Sequence, residues 1–377
     1  MDRARRLNSL LAVLGVLALS LAGCGPRPAG PAEGTAEPPR ETPTLLPTAT
    51  PKPTPTPHAY DVLKALEPSV VMVIVTMATE EEEFQVTGTG VLFDAEGLVL
   101  TAAHVVDGAT VIKLRVPGDD EEYSASIRGI DPCADLAVLE VVDGADFTAA
   151  PLGAEENVRL AEQVMILGYP QPSDPDAGLS VALGVLSQRE ATVELTLEGL
   201  TYSGLLRTDA LVGGGNSGGP LVALEGPERG RVLGIVQLGE ADYGFGYAIP
   251  IELEDPLVAE LVEGEDEGRK HWLGTFLIPV ERLLYLLSLE PGLQPYVEAL
   301  AETIGDEGLL VVSVVPGSPA DNAGMLAGDI LLSMQRHDVG TLDDMCDVLK
   351  TNPLTAGEIQ VEVRREGQER RLRISSY

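Results

Sequence analysis

Between Val70 and Ile249 the chain is a succession of short apolar runs, each broken after a few residues by Gly, Pro or Asp. Val70–Thr76, Gly90–Phe93, Val111–Val116, Val164–Leu167, Val181–Leu186, Val193–Leu197 and Val232–Leu238 are of this kind. Runs of that length and spacing predict strands and place the span in a sandwich or a barrel. Hydrophobic residues make up 44% of the chain but aromatics only 4%, so its cores must be aliphatic. From His271 the pattern changes. Val311–Val315, Ile330–Ser333 and Ile359–Arg364 read as strands, and Ser318–Gly324 and Leu342–Lys350 as short helices. The length of 377 residues suits two folded domains and a tail, with the acidic stretch 253–269 as a hinge between the domains.

Residues 213–220 read Gly-Gly-Gly-Asn-Ser-Gly-Gly-Pro, which sets a hydroxyl, Ser217, in a glycine-dense turn. Glycine allows a tight, partly left-handed path. Such a path can aim the N–H groups of Gly215 and Ser217 at one point, as an oxyanion hole requires. The bland alternative is a glycine-rich surface turn with a bystander serine.

A serine nucleophile needs a base within hydrogen-bond reach. Of the four histidines, His58 lies in a Pro/Thr tract, and His271 and His337 lie downstream in the second unit. His104, in Thr-Ala-Ala-His-Val-Val, follows the apolar run Gly97–Leu100 and is the candidate base. The third member should be a carboxylate that fixes the imidazole tautomer. Among 59 acidic residues Asp135 stands out, because it directly precedes the apolar run Leu136–Val142. A carboxylate there would be costly to bury without a partner. Asp131 competes locally but precedes a proline and reads as a turn residue. The order His104, Asp135, Ser217 is the chymotrypsin order of a triad.

Thr-Ala-Ala-His-Val-Val, Asp-Pro-Cys-Ala-Asp-Leu-Ala-Val-Leu and Thr-Asp-Ala-Leu-Val-Gly-Gly-Gly-Asn-Ser-Gly-Gly-Pro-Leu together resemble the HtrA (DegP-like) branch of trypsin-fold serine proteases. The resemblance runs over roughly residues 60–377 and includes a PDZ-like core, Pro-Gly-Ser-Pro-Ala-Asp-Asn-Ala-Gly-Met-Leu-Ala-Gly-Asp-Ile-Leu. It implies a mainly β chain, with two six-stranded antiparallel barrels over 58–252 and a smaller mixed α/β PDZ-like domain over 270–377. It carries catalytic roles to His104, Asp135 and Ser217, and a second oxyanion N–H to Gly215. It also implies an ATP-independent endopeptidase acting on unfolded or damaged exported proteins, with C-terminal peptides recruited by the PDZ-like domain. The alternative is a proteolytically quiescent sensor or holdase, motivated by the extra glycines at 213 and 214. Leu211, Val212, Ile235, Val236, Gln237 and Leu238 are expected to line the pocket for the residue before the cut. They offer no acid for Lys or Arg, so a small or medium aliphatic side chain is expected there. Trp272, Leu273, Gly274 and Thr275 match the position of the family's peptide-carboxylate loop. Relatives often form trimers through the segment before the first barrel, here His58–Leu66, so a homotrimer is the assembly the resemblance suggests.

The formal charge of −34 disfavours nucleic-acid partners. No Cys/His cluster has metal-ligand spacing, and neither a metal nor a cofactor is expected. Cys133 and Cys346 fall in different domains and read as two small buried thiols rather than a disulfide. At the N-terminus, Arg3, Arg5 and Arg6 precede an apolar run from Leu10 to Gly23. That run spans about 21 Å as a helix, too short for a bilayer of about 30 Å, and reads as a secretory signal over 1–23. Its end, Leu21-Ala22-Gly23-Cys24, resembles the bacterial lipobox, which implies lipidation at Cys24. Export and a lipid anchor on the outer face of the cell membrane, or facing the periplasm, would follow. The Pro/Thr-rich stretch over 24–57 would be an extended tether.

Overall fold

The computed structural model describes residues 59–376 apart from 79–82, 120, 143–145, 170–177, 196–199, 241–243, 253–254, 265–266, 290–296, 298–299 and 302–303. The proposed signal, Cys24 and the Pro/Thr tract lie outside the described residues. No described helix is long and apolar enough to cross a membrane.

The short apolar runs become strands of two closed sheets. β1 (Val70–Ala78), β2 (Glu83–Leu92), β3 (Leu98–Ala102), β4 (Val111–Arg115), β5 (Glu122–Asp131) and β6 (Leu136–Val141) close in the order β1-β2-β3-β6-β5-β4. β7 (Gln163–Gly168), β8 (Ser180–Leu195), β9 (Leu200–Thr208), β10 (Pro220–Ala223), β11 (Val232–Glu240) and β12 (Phe245–Pro250) close in the order β10-β11-β12-β9-β8-β7. All pairings within both sheets are antiparallel. The runs Val181–Leu186 and Val193–Leu197, which read as separate strands, fall largely on the single long β8. Register shifts after Leu186, Gln188 and Ala191 bend it, and Glu190 takes φ +51° at the bend.

Each barrel has an aliphatic interior. Val73, Val75, Val99, Leu114 and Leu139 fill the first, and Val164, Ile166, Leu186, Leu206 and Val236 the second. A third cluster joins the two, with Leu100, Leu136, Leu167 and Ile235 packed beneath helix α1 (Ala59–Leu66) through Val62 and Leu66. The four-residue helix α2 (Ala103–Val106) follows β3 directly.

The acidic span expected to be a hinge contains a packed helix, α3 (Pro256–Glu263). Asp255 caps it by accepting from the Leu257 N–H, and Val258 and Leu261 turn into the inter-barrel cluster. Its acidic composition belongs to the exposed face, while the apolar residues at helical spacing decide the fold.

Beyond α3 a six-stranded sheet runs β13 (Thr275–Pro279), β14 (Leu309–Val314), β15 (Ile330–Met334), β17 (Ile359–Arg365) and β18 (Gln368–Ile374), with β16 (His337–Asp338) pairing β15. Helices α4 (Val280–Leu289), α5 (Pro319–Asn322) and α6 (Leu342–Thr351) accompany it. A capping box between Thr341 and Asp344 starts α6, which buries Met345, Cys346, Val348 and Leu349. Cys346 is disulfide-bonded to Cys133, in the turn between β5 and β6. This overturns the expectation of two free thiols. A separation of 213 residues gave no sign that the folded chain returns to the same place.

Gly129 marks where α3 meets β5. A Cβ there would collide with the backbone of Leu261, which has no rotamer by which to move away. Gly129→Ala should therefore cost about 1–3 kcal/mol, as overpacking does. Urea denaturation of the variant against wild type measures this directly.

Candidate active site

Asp135 ends the tight turn Asp131–Asp135 in a left-handed conformation, φ +55°, which a short polar side chain tolerates. The Asp131 carboxylate builds the turn by accepting from the N–H groups of Cys133 at 2.9 Å and Ala134 at 3.1 Å. Asp135 is 2% exposed. Its Oδ1 accepts from the His104 backbone N–H at 2.8 Å, and its Oδ2 lies 2.8 Å from His104 Nδ1. The Asp135 carbonyl accepts from Ala103 N–H at 3.1 Å. One acid thus fixes the backbone and the ring of His104 together. Burial works against protonation of His104, but the charge of Asp135 and its hydrogen bond prevail, and the imidazole pKa is raised.

Three residues past His104, Asp107 is half-buried, and desolvation pushes its pKa up to about 7 against the hydrogen bonds from Trp272 and the Gly108 N–H. The Trp272 indole donates to Asp107 Oδ1 at 2.8 Å.

Ser217 comes from the second barrel. Gly215 and Gly218 flank it at φ +88° and +85°, conformations that favour glycine. Among the described residues neither the Gly215 N–H nor the Ser217 N–H donates to a protein acceptor. The Ser217 hydroxyl donates to the Gln237 carbonyl at 3.2 Å rather than to His104. The side-chain amide of Gln237 is buried with neither its N nor its O partnered.

Thr89, on β2 of the first barrel, was not among the residues expected at the site. It is fully buried, and its N–H and hydroxyl tie the loop around Ser217 to that barrel. Its N–H donates to the Ser217 carbonyl at 2.9 Å, and its hydroxyl donates to the Gly215 carbonyl at 2.7 Å. That hydroxyl accepts from Tyr169 N–H at 2.9 Å, and the Thr89 carbonyl accepts from the Thr101 hydroxyl at 2.7 Å. Threonine in a strand is ordinary, so the only hint was its place between Gly88 and Gly90.

The six residues expected to line one pocket do not share a surface. Ile235 lies in the inter-barrel cluster, Val236 in the second barrel's core and Leu238 in a separate cluster with Tyr247, while Leu211 is 67% exposed. Neighbouring strand residues face opposite ways, so a continuous stretch of β11 cannot line one wall. Val212 packs against the second barrel's core, where a Cβ on Gly239 or Gly246 would meet it at 2.8 or 2.5 Å. In the second unit Trp272, Leu273, Gly274 and Thr275 are all buried. Trp272 packs into the core of the first barrel instead of standing open to a peptide. Among the described residues no group of His, Cys, Asp and Glu could hold a metal.

Residues 88–235 match the family described as "Trypsin-like peptidase domain", and residues 284–375 match "PDZ domain". The chain is 30% identical over 293 residues to the "Serine protease Do-like HtrA" of Bacillus subtilis, covering 75% of this chain and 62% of that protein. It is 29% identical over 298 residues to a "Probable periplasmic serine endoprotease DegP-like" of Pseudomonas savastanoi, covering 78% of this chain and 56% of that protein. Among solved structures, an HtrA-type protease, AlgW with tripeptide, is 27% identical with a TM-score of 0.48, covering 85% of this chain and 96% of that one. The chain thus spans less than two thirds of the length of these curated relatives.

Thr89→Val keeps the shape and removes the hydroxyl. It leaves the Gly215 carbonyl and the Tyr169 N–H unpartnered, at about 1–3 kcal/mol for each orphaned group. A lower urea midpoint is expected, with slower reaction of Ser217 towards an active-serine probe because the loop around Gly215 loses its brace.

Proposed function

We propose that this chain, which carries a trypsin-like peptidase domain followed by a PDZ domain, is an HtrA-type serine endopeptidase that cleaves unfolded or damaged exported proteins without ATP. The observation that carries the reading is the buried Asp135 carboxylate bound to both the backbone and the ring of His104. Burying that acid is costly, and the pairing leaves the imidazole fixed in the orientation a general base requires. The peptidase unit would span 58–252, the connection 253–269 and the peptide-binding unit 270–377.

In this reading Ser217 Oγ attacks the scissile carbonyl carbon while His104 Nε2 takes the hydroxyl proton. The carbonyl oxygen becomes an oxyanion, received by the uncommitted N–H groups of Gly215 and Ser217. Asp135 holds Nδ1 protonated and stabilises the imidazolium. His104 then gives the proton to the leaving amine, and water hydrolyses the acyl-enzyme with His104 again as base. Leu211, Val212 and Ile235–Leu238 bring no acid to receive Lys or Arg, which supports a small or medium aliphatic side chain before the cut. Cys24 would carry the lipid that holds the exported protein at the membrane, a reading supported by the basic start, the short apolar run and Leu21–Cys24.

A fluorophosphonate probe should label wild type and not Ser217→Ala; equal labelling of the two would sink the hydrolase reading. The base must be neutral, so labelling should rise with pH through the His104 pKa. Asp135 raises that pKa, so the acid limb should lie above the ordinary 6.5. Asp135→Asn should shift the limb down and slow labelling roughly ten-thousand-fold.

The resting hydrogen bond of Ser217 to the Gln237 carbonyl favours a second reading, a protease quiescent until a peptide binds the PDZ unit. Casein turnover that appears only with a hydrophobic C-terminal peptide would support gating. Tight peptide binding with no turnover in either condition would leave a sensor or holdase.

A further inference from the structure

We propose that His271, from the segment leading into the PDZ unit, is a positioning residue for Asp135. The inference rests on the reading of His104, Asp135 and Ser217 as the catalytic set. His271 Nδ1 lies 2.8 Å from Asp131 Oδ2, and both side chains are nearly enclosed, 13% and 11% exposed. The other oxygen of Asp131 accepts the two N–H groups that shape the turn ending at Asp135. Burial would favour the neutral acid. The hydrogen bond and charge of His271, with those two N–H groups, instead hold Asp131 below the usual carboxylate range. Without His271 the turn would keep a buried carboxylate stripped of its only described side-chain partner. Protonation or outward rotation of Asp131 would loosen the N–H contacts of Cys133 and Ala134. Asp135 is the next residue, already in a left-handed conformation.

A second link reaches the same turn. Cys133 lies between Asp131 and Asp135 and is bonded to Cys346 on α6. The residue after His271, Trp272, donates to Asp107 on the element that carries His104. Consecutive residues 271 and 272 therefore grip the two pieces of backbone whose separation sets the His104–Asp135 distance. None of these groups touches the nucleophile loop, so the effect should fall on the rate of chemistry and not on substrate capture.

The test uses the full chain and the fluorophosphonate probe, with wild type, Ser217→Ala, His271→Ala, His271→Asn and Cys346→Ser. His271→Ala should lower the limiting labelling rate by about ten- to a hundredfold, the scale expected from a misplacement of about 1 Å. The half-saturating probe concentration should stay within about twofold. Asn presents an amide N–H close to where Nδ1 stands, so His271→Asn should recover most of the rate. Cys346→Ser should lower the rate in the same sense. In proton NMR the downfield Nδ1–H signal of His104 should broaden or vanish in His271→Ala and return in His271→Asn. Unchanged rates and an unchanged signal in His271→Ala would overturn the inference, as would a loss confined to probe affinity. If near-UV circular dichroism shows His271→Ala unfolded, Cys346→Ser alone decides: a slowed limiting rate supports the inference and a wild-type rate overturns it. Equal labelling of wild type and Ser217→Ala would instead reject the catalytic reading, and the His104 signal would still decide whether His271 positions the dyad.

Discussion

The site depends on the burial of one carboxylate. Asp135 stands 2% exposed at a left-handed position of the backbone. Desolvation of an ionised acid and an αL backbone at a residue other than glycine both cost free energy, and such costs persist only where the surroundings fix the group from several sides. Here they do. The His104 N–H and ring reach the side chain, Ala103 reaches the carbonyl, and Asp131 shapes the preceding turn. The same carboxylate holds both the backbone and the ring of His104, so the acceptor for Nδ1 is itself anchored at the start of α2.

The second constraint is the seam between the barrels. Each barrel is a closed sheet and has satisfied its own backbone hydrogen bonds, so neither offers an edge to the other. Contact must come from apolar packing and from groups that leave the ladder. Leu100, Leu136, Leu167 and Ile235 supply the first, and Thr89 supplies the second. Gly218 makes the approach feasible, since any Cβ there would strike the Thr89 carbonyl and the Thr101 hydroxyl. The glycines around Ser217 therefore do more than shape a turn. They let two finished barrels come within hydrogen-bonding distance at the point where base and nucleophile must meet.

What could be read from the chain was whatever sequence makes local. The Gly-Asn-Ser-Gly-Gly motif, His104 at the end of an apolar run and Asp131 as a turn former each carry their signal within a few neighbours. The short runs gave strands in a sandwich or a barrel, the resemblance chose two barrels, and β8 hid a bulged continuity behind two of the runs. Ile235, Val236 and Leu238 fall in different clusters because a strand alternates its faces and the bulge between Val236 and Leu238 shifts that alternation. Cys133 and Cys346, His271 and Asp131, and Trp272 and Asp107 were invisible as pairs, since only the folded chain brings them together. Trp272 is the instructive case. The position that resembled a peptide-binding loop is buried against the first barrel, where its ring packs and its N–H finds an acid.

The two halves of the site are prepared to different degrees. The His104–Asp135 half is complete before any substrate arrives, held at 2.8 Å and cross-tied through the backbone. The Ser217 half is not, because its hydroxyl rests on the Gln237 carbonyl of its own barrel and not on His104. Preorganisation matters most where charge develops, and that is the imidazole and the oxyanion pocket. The hydroxyl needs only to exchange one 3.2 Å neutral hydrogen bond for another, a difference of about 1 kcal/mol or less. An effect on the His104–Asp135 pair, by contrast, has to reach either the buried turn at Asp131 or the element carrying His104, which Trp272 touches at Asp107. Local consistency is broken beside Ser217, where the Gln237 amide lies buried without a partner, and such breaches gather at functional sites. The strand that offers the resting acceptor therefore also carries a buried amide without a partner among the described residues.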